Sequence, residues 1–331
     1  MKIGLIGCGI VGEGHLQAIR NCPQWKLSGI ADIDRARLAE IHRKYDVEHT
    51  FDDYRRLLNR VRPDAVVVAT HVDTHCRITL DALRKGIHVL CEKPMATSID
   101  ECHSMVEAAR THKRLLIVNF NTRSIPRYRR IKQIIDEGAV GKVRVIRIVY
   151  NWSCHQWKPL RRLECFMAEG GPLIDSAVHF FDGVRWYTGQ EFVRIDANGL
   201  VLPPYEHPQH GIASCLLDGG SIALVEAGWL YTKTTKDQDS FYQVTVIGDE
   251  GTLEHDTTSG LLRIWTRTET EQEIFRDSGK HFEFTYKAFA EGIRQGCCAE
   301  LASGHDGLKA TEAALAALAS TGKKPQNALS S

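Results

Sequence analysis

The chain predicts an α/β fold in two parts, a doubly wound parallel sheet followed by an α+β domain built on a mostly antiparallel sheet. Three observations carry this. At 331 residues and about 150 residues per domain, the chain has room for two hydrophobic cores. Up to about residue 120, short and continuously apolar runs alternate with amphipathic helical stretches. Beyond it, runs of alternating apolar and polar residues follow one another without helices between them. Strands apolar on both faces are buried on both faces, which requires helices on either side of a parallel sheet. Strands of alternating character are half-exposed, and consecutive ones pair antiparallel.

In the first part, Ile3 to Ile6 reads as a strand and Val11 to Asn21 as a helix. Leu27 to Ala31 precedes a helix starting near Asp34, and Ala65 to Ala69 precedes one over Thr74 to Lys85 that Gly86 ends. Val89 to Cys91, a helix over Ile99 to Thr111 and the strand Leu115 to Val118 complete the series. The second part opens with a basic helix, Ile125 to Glu137, and the strand Lys142 to Tyr150. One helix is expected over Pro172 to Tyr187. Strands follow at Ile195 to Leu202, Gly211 to Leu217, Ile222 to Leu230, Tyr242 to Ile247 and Leu261 to Trp265, with a hairpin turn at Asp249-Glu250-Gly251. An Ala-rich helix at about 305–320 ends the series.

Composition narrows the function. Forty-two Lys and Arg against 41 Asp and Glu leave a formal charge of +1, so no global field gathers nucleic acid or anionic membrane. No apolar run approaches the ~18 residues of a membrane span. The ten cysteines are scattered, without zinc-type pairs, and read as reduced thiols of a cytoplasmic protein. Neither a metal, a nucleic acid nor a membrane partner is expected. The basic residues Arg127, Arg129, Arg130 and Lys132 read as a solvated helix face or subunit contact, since no aromatic stacking platform accompanies them.

Gly7-Cys8-Gly9-Ile10-Val11-Gly12 lies between the first strand and the first helix. Gly7 permits a tight turn, Gly9 lets a diphosphate approach the backbone, and Gly12 lets helix and strand pack closely. A helix N-terminus there offers free N–H groups and the positive end of its dipole. Asp32, at the end of the second strand, would accept hydrogen bonds from the ribose hydroxyls and repel a 2′-phosphate, so NAD is expected over NADP. Arg35 and Arg37 are the nearby cations that could tolerate a phosphate.

Two further motifs carry chemistry. Glu92-Lys93-Pro94 directly follows a parallel strand, whose C-terminal end borders the ligand crevice in this fold class. A lysine there can stabilise negative charge on a reacting oxygen, although a lone lysine at a strand end is commonly just solvated. In Gly170-Gly171-Pro172-Leu173-Ile174-Asp175-Ser176-Ala177-Val178-His179, Asp175 and His179 would share one helix face a turn apart. A carboxylate beside an imidazole makes a general base; a structural acid and a core histidine is the plainer alternative.

Together these motifs resemble the family of glucose–fructose oxidoreductase, inositol dehydrogenase and the rhizopine-catabolism dehydrogenases, the Gfo/Idh/MocA family. The resemblance runs along the whole chain: the glycine motif with His15 after it, Ala69-Thr70 before His75, Glu92-Lys93-Pro94, Asn121 with Arg123, and Gly170 to Asp182. It implies a Rossmann domain over 1–121 and a substrate and oligomerisation domain over 122–331 with an open sheet. The C-terminal helix is a candidate to pack back on the first. It also implies a homodimer or homotetramer formed through that sheet, and a catalytic set of Lys93, Asp175 and His179. Cofactor contacts are expected from Gly7, Gly9, Ile10, Val11, Gly12, Asp32, Thr70, His75, Glu92, Lys93 and Asn121. Arg123, Tyr150, Asn151 and Trp152, with His179, are expected to border the substrate, and His155, Trp157, Arg161 and Arg162 to shape a specificity loop. Two departures stand out: Thr70-His71-Val72 where members often have Thr-Pro-Asn, and Ser176-Ala177-Val178 within a segment that is commonly Asp-x-Gly-x-His. The expected activity is NAD-dependent interconversion of a secondary alcohol and a ketone on a sugar, sugar derivative or cyclitol. An NAD-dependent glycosidase working by transient oxidation and elimination is the alternative enzyme. A non-catalytic NAD or sugar sensor is the alternative of another class.

Overall fold

A computed structural model describes residues 1–153, 161–230, 240–275 and 281–322. His155 and Trp157 lie outside the described residues. The chain forms two compact units, Met1–Ile125 with Gly279–Thr311, and Pro126–Ser278 with Glu312–Ser331.

The first unit holds a six-stranded sheet with β1 (Lys2–Ile6), β2 (Lys26–Ala31), β3 (Thr50–Phe51), β4 (Ala65–Val68), β5 (His88–Cys91) and β6 (Leu116–Val118). Their order is β3-β2-β1-β4-β5-β6 and every pair is parallel. All four residues of β4 are fully buried, as their unbroken valine run demands. Helices α1 (Ile10–Arg20), α2 (Arg35–Tyr45), α3 (Tyr54–Arg60), α4 (Val72–Arg84) and α5 (Ile99–Thr111) connect the strands. Their starts are legible: Asp34 accepts from the backbone N–H of Ala36 and Arg37, and Ser98 from that of Glu101. Gly86 has φ +74° directly beyond α4, the left-handed position that ends helices. A one-turn 3₁₀ segment, Asn121–Ser124, follows β6.

Between β2 and β4 the structure adds β3 and α3, which the apolar pattern does not reveal because the strand has only two residues. The unit also recruits distant sequence: α10 (Phe282–Gln295) packs on α1. Phe282, Tyr286 and Phe289 enter the same core as Leu16, Ile19 and Trp25, and the Trp25 indole N–H donates to the carbonyl of Tyr286 at 2.8 Å. The last helix, α11 (Gly304–Thr321), begins in the first unit and ends in the second.

The second unit contains α6 (Pro126–Asp136), β7 (Val143–Asn151), α7 (Arg161–Ala168), α8 (Pro172–Asp175) and α9 (Ala177–Thr188). Its strands continue with β8 (Phe192–Leu200), β9 (His210–Leu217), β10 (Ile222–Gly228), β11 (Phe241–Gly248), β12 (Gly251–Asp256), β13 (Leu261–Thr266) and β14 (Thr270–Ile274). The order is β14-β13-β12-β11-β7-β10-β9-β8, and only β7 and β10 pair parallel. One face is buried: Ile146, Ile148, Val225 and Val244 are inaccessible. On the opposite face the register aligns Leu216, Ile222, Val145 and Ile247 in a row across β9, β10, β7 and β11.

The single helix expected over Pro172 to Tyr187 is corrected. The chain forms α8 and α9 with a break at Ser176. Gly170 and Gly171, at φ +119° and +67°, launch a helix of four residues. Ser176 then uses its hydroxyl locally, donating to Asp175 Oδ2 at 3.3 Å and accepting the Trp229 indole N–H at 3.4 Å. Serine competes for local bonds in this way and interrupts helices. Asp175 and His179 therefore lie on either side of a helix junction rather than on one continuous helix.

Phe289→Ala removes a fully buried ring that stacks on Trp25 at 5.6 Å. Urea unfolding followed by tryptophan fluorescence should show a loss of about 3–5 kcal/mol.

Candidate active site

The glycine loop in the first unit is built for close approach. A Cβ on Gly12 would stand 2.0 Å from the Gly7 carbonyl oxygen. One on Gly7, at φ +96°, would stand 2.4 Å from the Ala69 oxygen. A Cβ on Gly9 would meet nothing within 4 Å, so the space above it is open. Gly9 caps α1 without a side-chain bond, and the N–H groups of Ile10, Val11 and Gly12 precede Glu13 N–H, the first to donate within the helix, to the Gly9 carbonyl at 2.8 Å. This is a cradle for a diphosphate: a small open floor, oriented donors and the positive end of a helix.

Asp32 ends the loop's neighbouring strand. Its Oδ2 accepts from Cys8 N–H at 2.6 Å and its Oδ1 from Asp34 N–H at 2.8 Å, which fixes the carboxylate and leaves lone pairs for two hydroxyls. The cations that could have welcomed a phosphate are already engaged. Arg35 donates to Asp52 at 2.7 Å. Arg37 donates to the Cys8 carbonyl at 2.7 Å and also pairs with Glu13 and Glu40. Hydrogen bonds from Lys44 and Arg37 hold the Glu13 carboxyl down at about 2. The residues present fit NAD. Burial, with the Asp32 charge, pushes the Cys8 thiol up to about 12.

Lys93 leaves the end of β5 half-buried. Glu92 and His75, expected as cofactor contacts, are both bonded to neighbouring turns and elements of the first unit. His75 is only 1% exposed, with Nδ1 2.9 Å from the Pro94 carbonyl and Nε2 3.1 Å from that of Thr70. It clasps the turn after β4 to the turn after β5, and burial lowers its pKa. Glu92 accepts from His15 and Asn119. Thr70 accepts the Thr74 hydroxyl at 2.7 Å, and Asn121 opens the 3₁₀ segment, partly exposed. Arg123, expected at the substrate, is 5% exposed and stands 3.5 Å from Asp306. A cavity of about 580 Å³ lies at the opposite, N-terminal ends of the strands, lined by Asp64, Lys85, His88 and Arg114. Burial and Arg114 push His88 down to about 4.

In the second unit, Asp175 and His179 are half-buried, on either side of Ser176. Tyr150 and Trp152, expected to border the substrate, are half-buried and make aromatic contacts. Tyr150 meets Phe180 at 5.4 Å, and Trp152 meets Trp229 at 5.7 Å beside Phe166. Asn151 is 4% exposed. Arg130 and Lys132 pair with Glu273 and Asp136, as a charged helix surface does.

Two family models match the chain. One, described as oxidoreductase family, NAD-binding Rossmann fold, covers residues 1–120. The other, the GFO/IDH/MocA C-terminal domain, covers residues 128–254. This chain belongs to the GFO/IDH/MocA oxidoreductase family. Among curated GFO/IDH/MocA relatives, the uncharacterized oxidoreductase YrbE of Bacillus subtilis is 28% identical over 67% of this chain and 65% of its own length. The myo-inositol 2-dehydrogenase of Thermotoga maritima is 30% identical over 61% of this chain and 59% of its own. The matches to these two thus span less than two thirds of those proteins. A levoglucosan dehydrogenase solved with NADH and levoglucosan superposes with a TM-score of 0.87 at 22% identity, covering 97% of both chains, a likeness of fold.

Asp32→Ser removes the charge at the end of β2 from this GFO/IDH/MocA nucleotide loop. Titration should show NADP gaining on NAD by roughly tenfold or more, the size of a relieved charge repulsion. An unchanged ratio contradicts the role given to Asp32.

Proposed function

We propose that this protein interconverts a secondary alcohol and a ketone on a sugar, sugar derivative or cyclitol, with NAD as cofactor. The observation that carries the reading is the glycine loop with its open floor at Gly9 and fixed Asp32, in a chain that continues into Glu92-Lys93-Pro94 and Asp175/His179. The names of relatives, inositol and levoglucosan dehydrogenases among them, support a polyhydroxylated ring as the substrate class.

Bound NAD supplies the hydride acceptor. His179 takes the proton of the substrate hydroxyl at a ring nitrogen. Asp175, steadied by the Ser176 hydroxyl, stabilises the imidazolium so formed. Lys93 donates to the reacting oxygen, where negative charge grows before the proton has left. Removing a general base costs about 10²–10⁴-fold. His179→Ala should therefore lose that much turnover while still binding NAD, followed by nicotinamide absorbance with inositols, aldoses and anhydrosugars. A variant with full activity removes His179 from the reaction.

The sheet of the second unit supports self-association. Leu216, Ile222 and Ile247 are 38%, 50% and 41% exposed and stand in one row with Val145, an apolar stripe of the sort that marks an interface. A second copy of this chain would cover it. Native mass spectrometry should show a dimer or tetramer, and Ile222→Glu should shift it to smaller species. A native monomer overturns this part.

A further inference from the structure

A chain of buried hydrogen bonds stands behind Lys93, and no step of the proposed reaction uses it. His15 lies on α1, three residues past Gly12, and is fully buried. Its Nε2 is 2.8 Å from Glu92 Oε1, and its Nδ1 is 2.8 Å from the Tyr286 hydroxyl on α10. Asn119 Nδ2 donates to the same Glu92 oxygen at 2.6 Å, and the backbone N–H of Lys93 donates to Glu92 Oε2 at 3.3 Å. Phe282 stacks on the imidazole at 4.3 Å and 12°. With the ring proton on Nε2 the bonds run in one direction: Tyr286 O–H donates to Nδ1, and Nε2–H donates to the carboxylate. On the far side of Lys93, the Pro94 carbonyl is held by His75.

We propose that His15 is a positioning residue for Lys93. Acting through Glu92, it holds the backbone from which Lys93 departs, and it ties that turn to the helix whose first turn carries the glycine motif. Tyr286 orients the imidazole from behind, so that α10, far away in sequence, sets the aim of a residue just past the end of β5. This rests on the reading of Lys93 as a catalytic group. A purely structural role would lower stability and touch neither the Lys93 amide nor the division between turnover and binding.

The test uses the full-length protein and three variants. His15→Phe keeps the flat stacked ring and deletes both nitrogens. His15→Gln keeps a nitrogen able to donate to Glu92. Tyr286→Phe removes only the hydroxyl. Hydrogen exchange over residues 91–95, NAD titration by tryptophan fluorescence, and turnover at saturating NAD are read on each. In His15→Phe the amide of Lys93 should exchange at least about tenfold faster, and kcat should fall about 10- to 100-fold, the cost of a misplaced group. NAD affinity should change little. His15→Gln should recover most of both losses. Tyr286→Phe should move exchange and kcat in the same direction by about threefold, which keeps the test open should His15→Phe not fold. Unchanged exchange at Lys93 in His15→Phe or Tyr286→Phe overturns the proposal, and so does a Gln variant as impaired as the Phe variant. A native protein that oxidises no polyol overturns the functional reading instead, and exchange at Lys93 reports independently of it.

Discussion

The first unit depends on how closely the start of α1 can be pressed against the end of β1. With hydrogen at position 12, the helix backbone comes to where a Cβ would lie 2.0 Å from the Gly7 carbonyl; any side chain pushes the helix away. That approach brings Cys8 N–H onto Asp32 and leaves the N–H groups of the first turn facing the open floor above Gly9. It also sets the height of His15 one turn further along, level with Glu92 at the end of β5. Nucleotide cradle, ribose acceptor and the support behind Lys93 thus derive from one steric condition.

Cofactor choice is written less in which charges are present than in which are committed. Arg35 and Arg37 lie near enough in sequence to Asp32 to suggest phosphate tolerance. In the folded unit, Arg37 is held by the Cys8 carbonyl, Glu13 and Glu40, while Arg35, 82% exposed, makes a surface pair with Asp52. A phosphate would have to compete with carboxylates already in place and with the Asp32 charge. Surface pairs are individually weak, but Arg37 is mostly covered, with 22% of its side chain exposed, and removing it from three acceptors is costly.

Local chemistry was legible in the sequence where period and punctuation coincide. The valine run of β4, the Asp34 and Ser98 caps, Gly86 and the glycine loop need only their neighbours to be understood. Elements too short for a period, β3 and α3, gave no comparable signal. The support behind Lys93 was hidden for a different reason: His15, Glu92, Asn119 and Tyr286 come from four separate elements, and Tyr286 meets His15 across 271 residues. The family resemblance implied His75 and Glu92 among cofactor contacts; what it did not contain is that the His75 imidazole, 1% exposed, bridges the Pro94 and Thr70 carbonyl oxygens. What no local pattern contains is which face of β7 the aromatic cluster of Phe180, Tyr242 and Tyr128 occupies.

The break at Ser176 changes how the second pair of polar residues must be understood. On an unbroken helix, Asp175 and His179 would be aligned by the helical repeat alone, and any residue between them would serve equally. Here a four-residue helix ends at Asp175, and a fresh one starts at Ala177. The Ser176 hydroxyl between them bonds the Asp175 carboxylate at this junction. Ser176 is 4% exposed; it donates to Asp175 and is itself pinned by the indole of the buried Trp229. A buried hydroxyl with a donor on one side and a carboxylate on the other has little freedom to turn. The departure from the family's usual segment at Ser176-Ala177-Val178 is thus compensated within the same few residues. A side-chain bond at the helix junction now supplies the constraint on the Asp175 carboxylate that the regular repeat no longer provides.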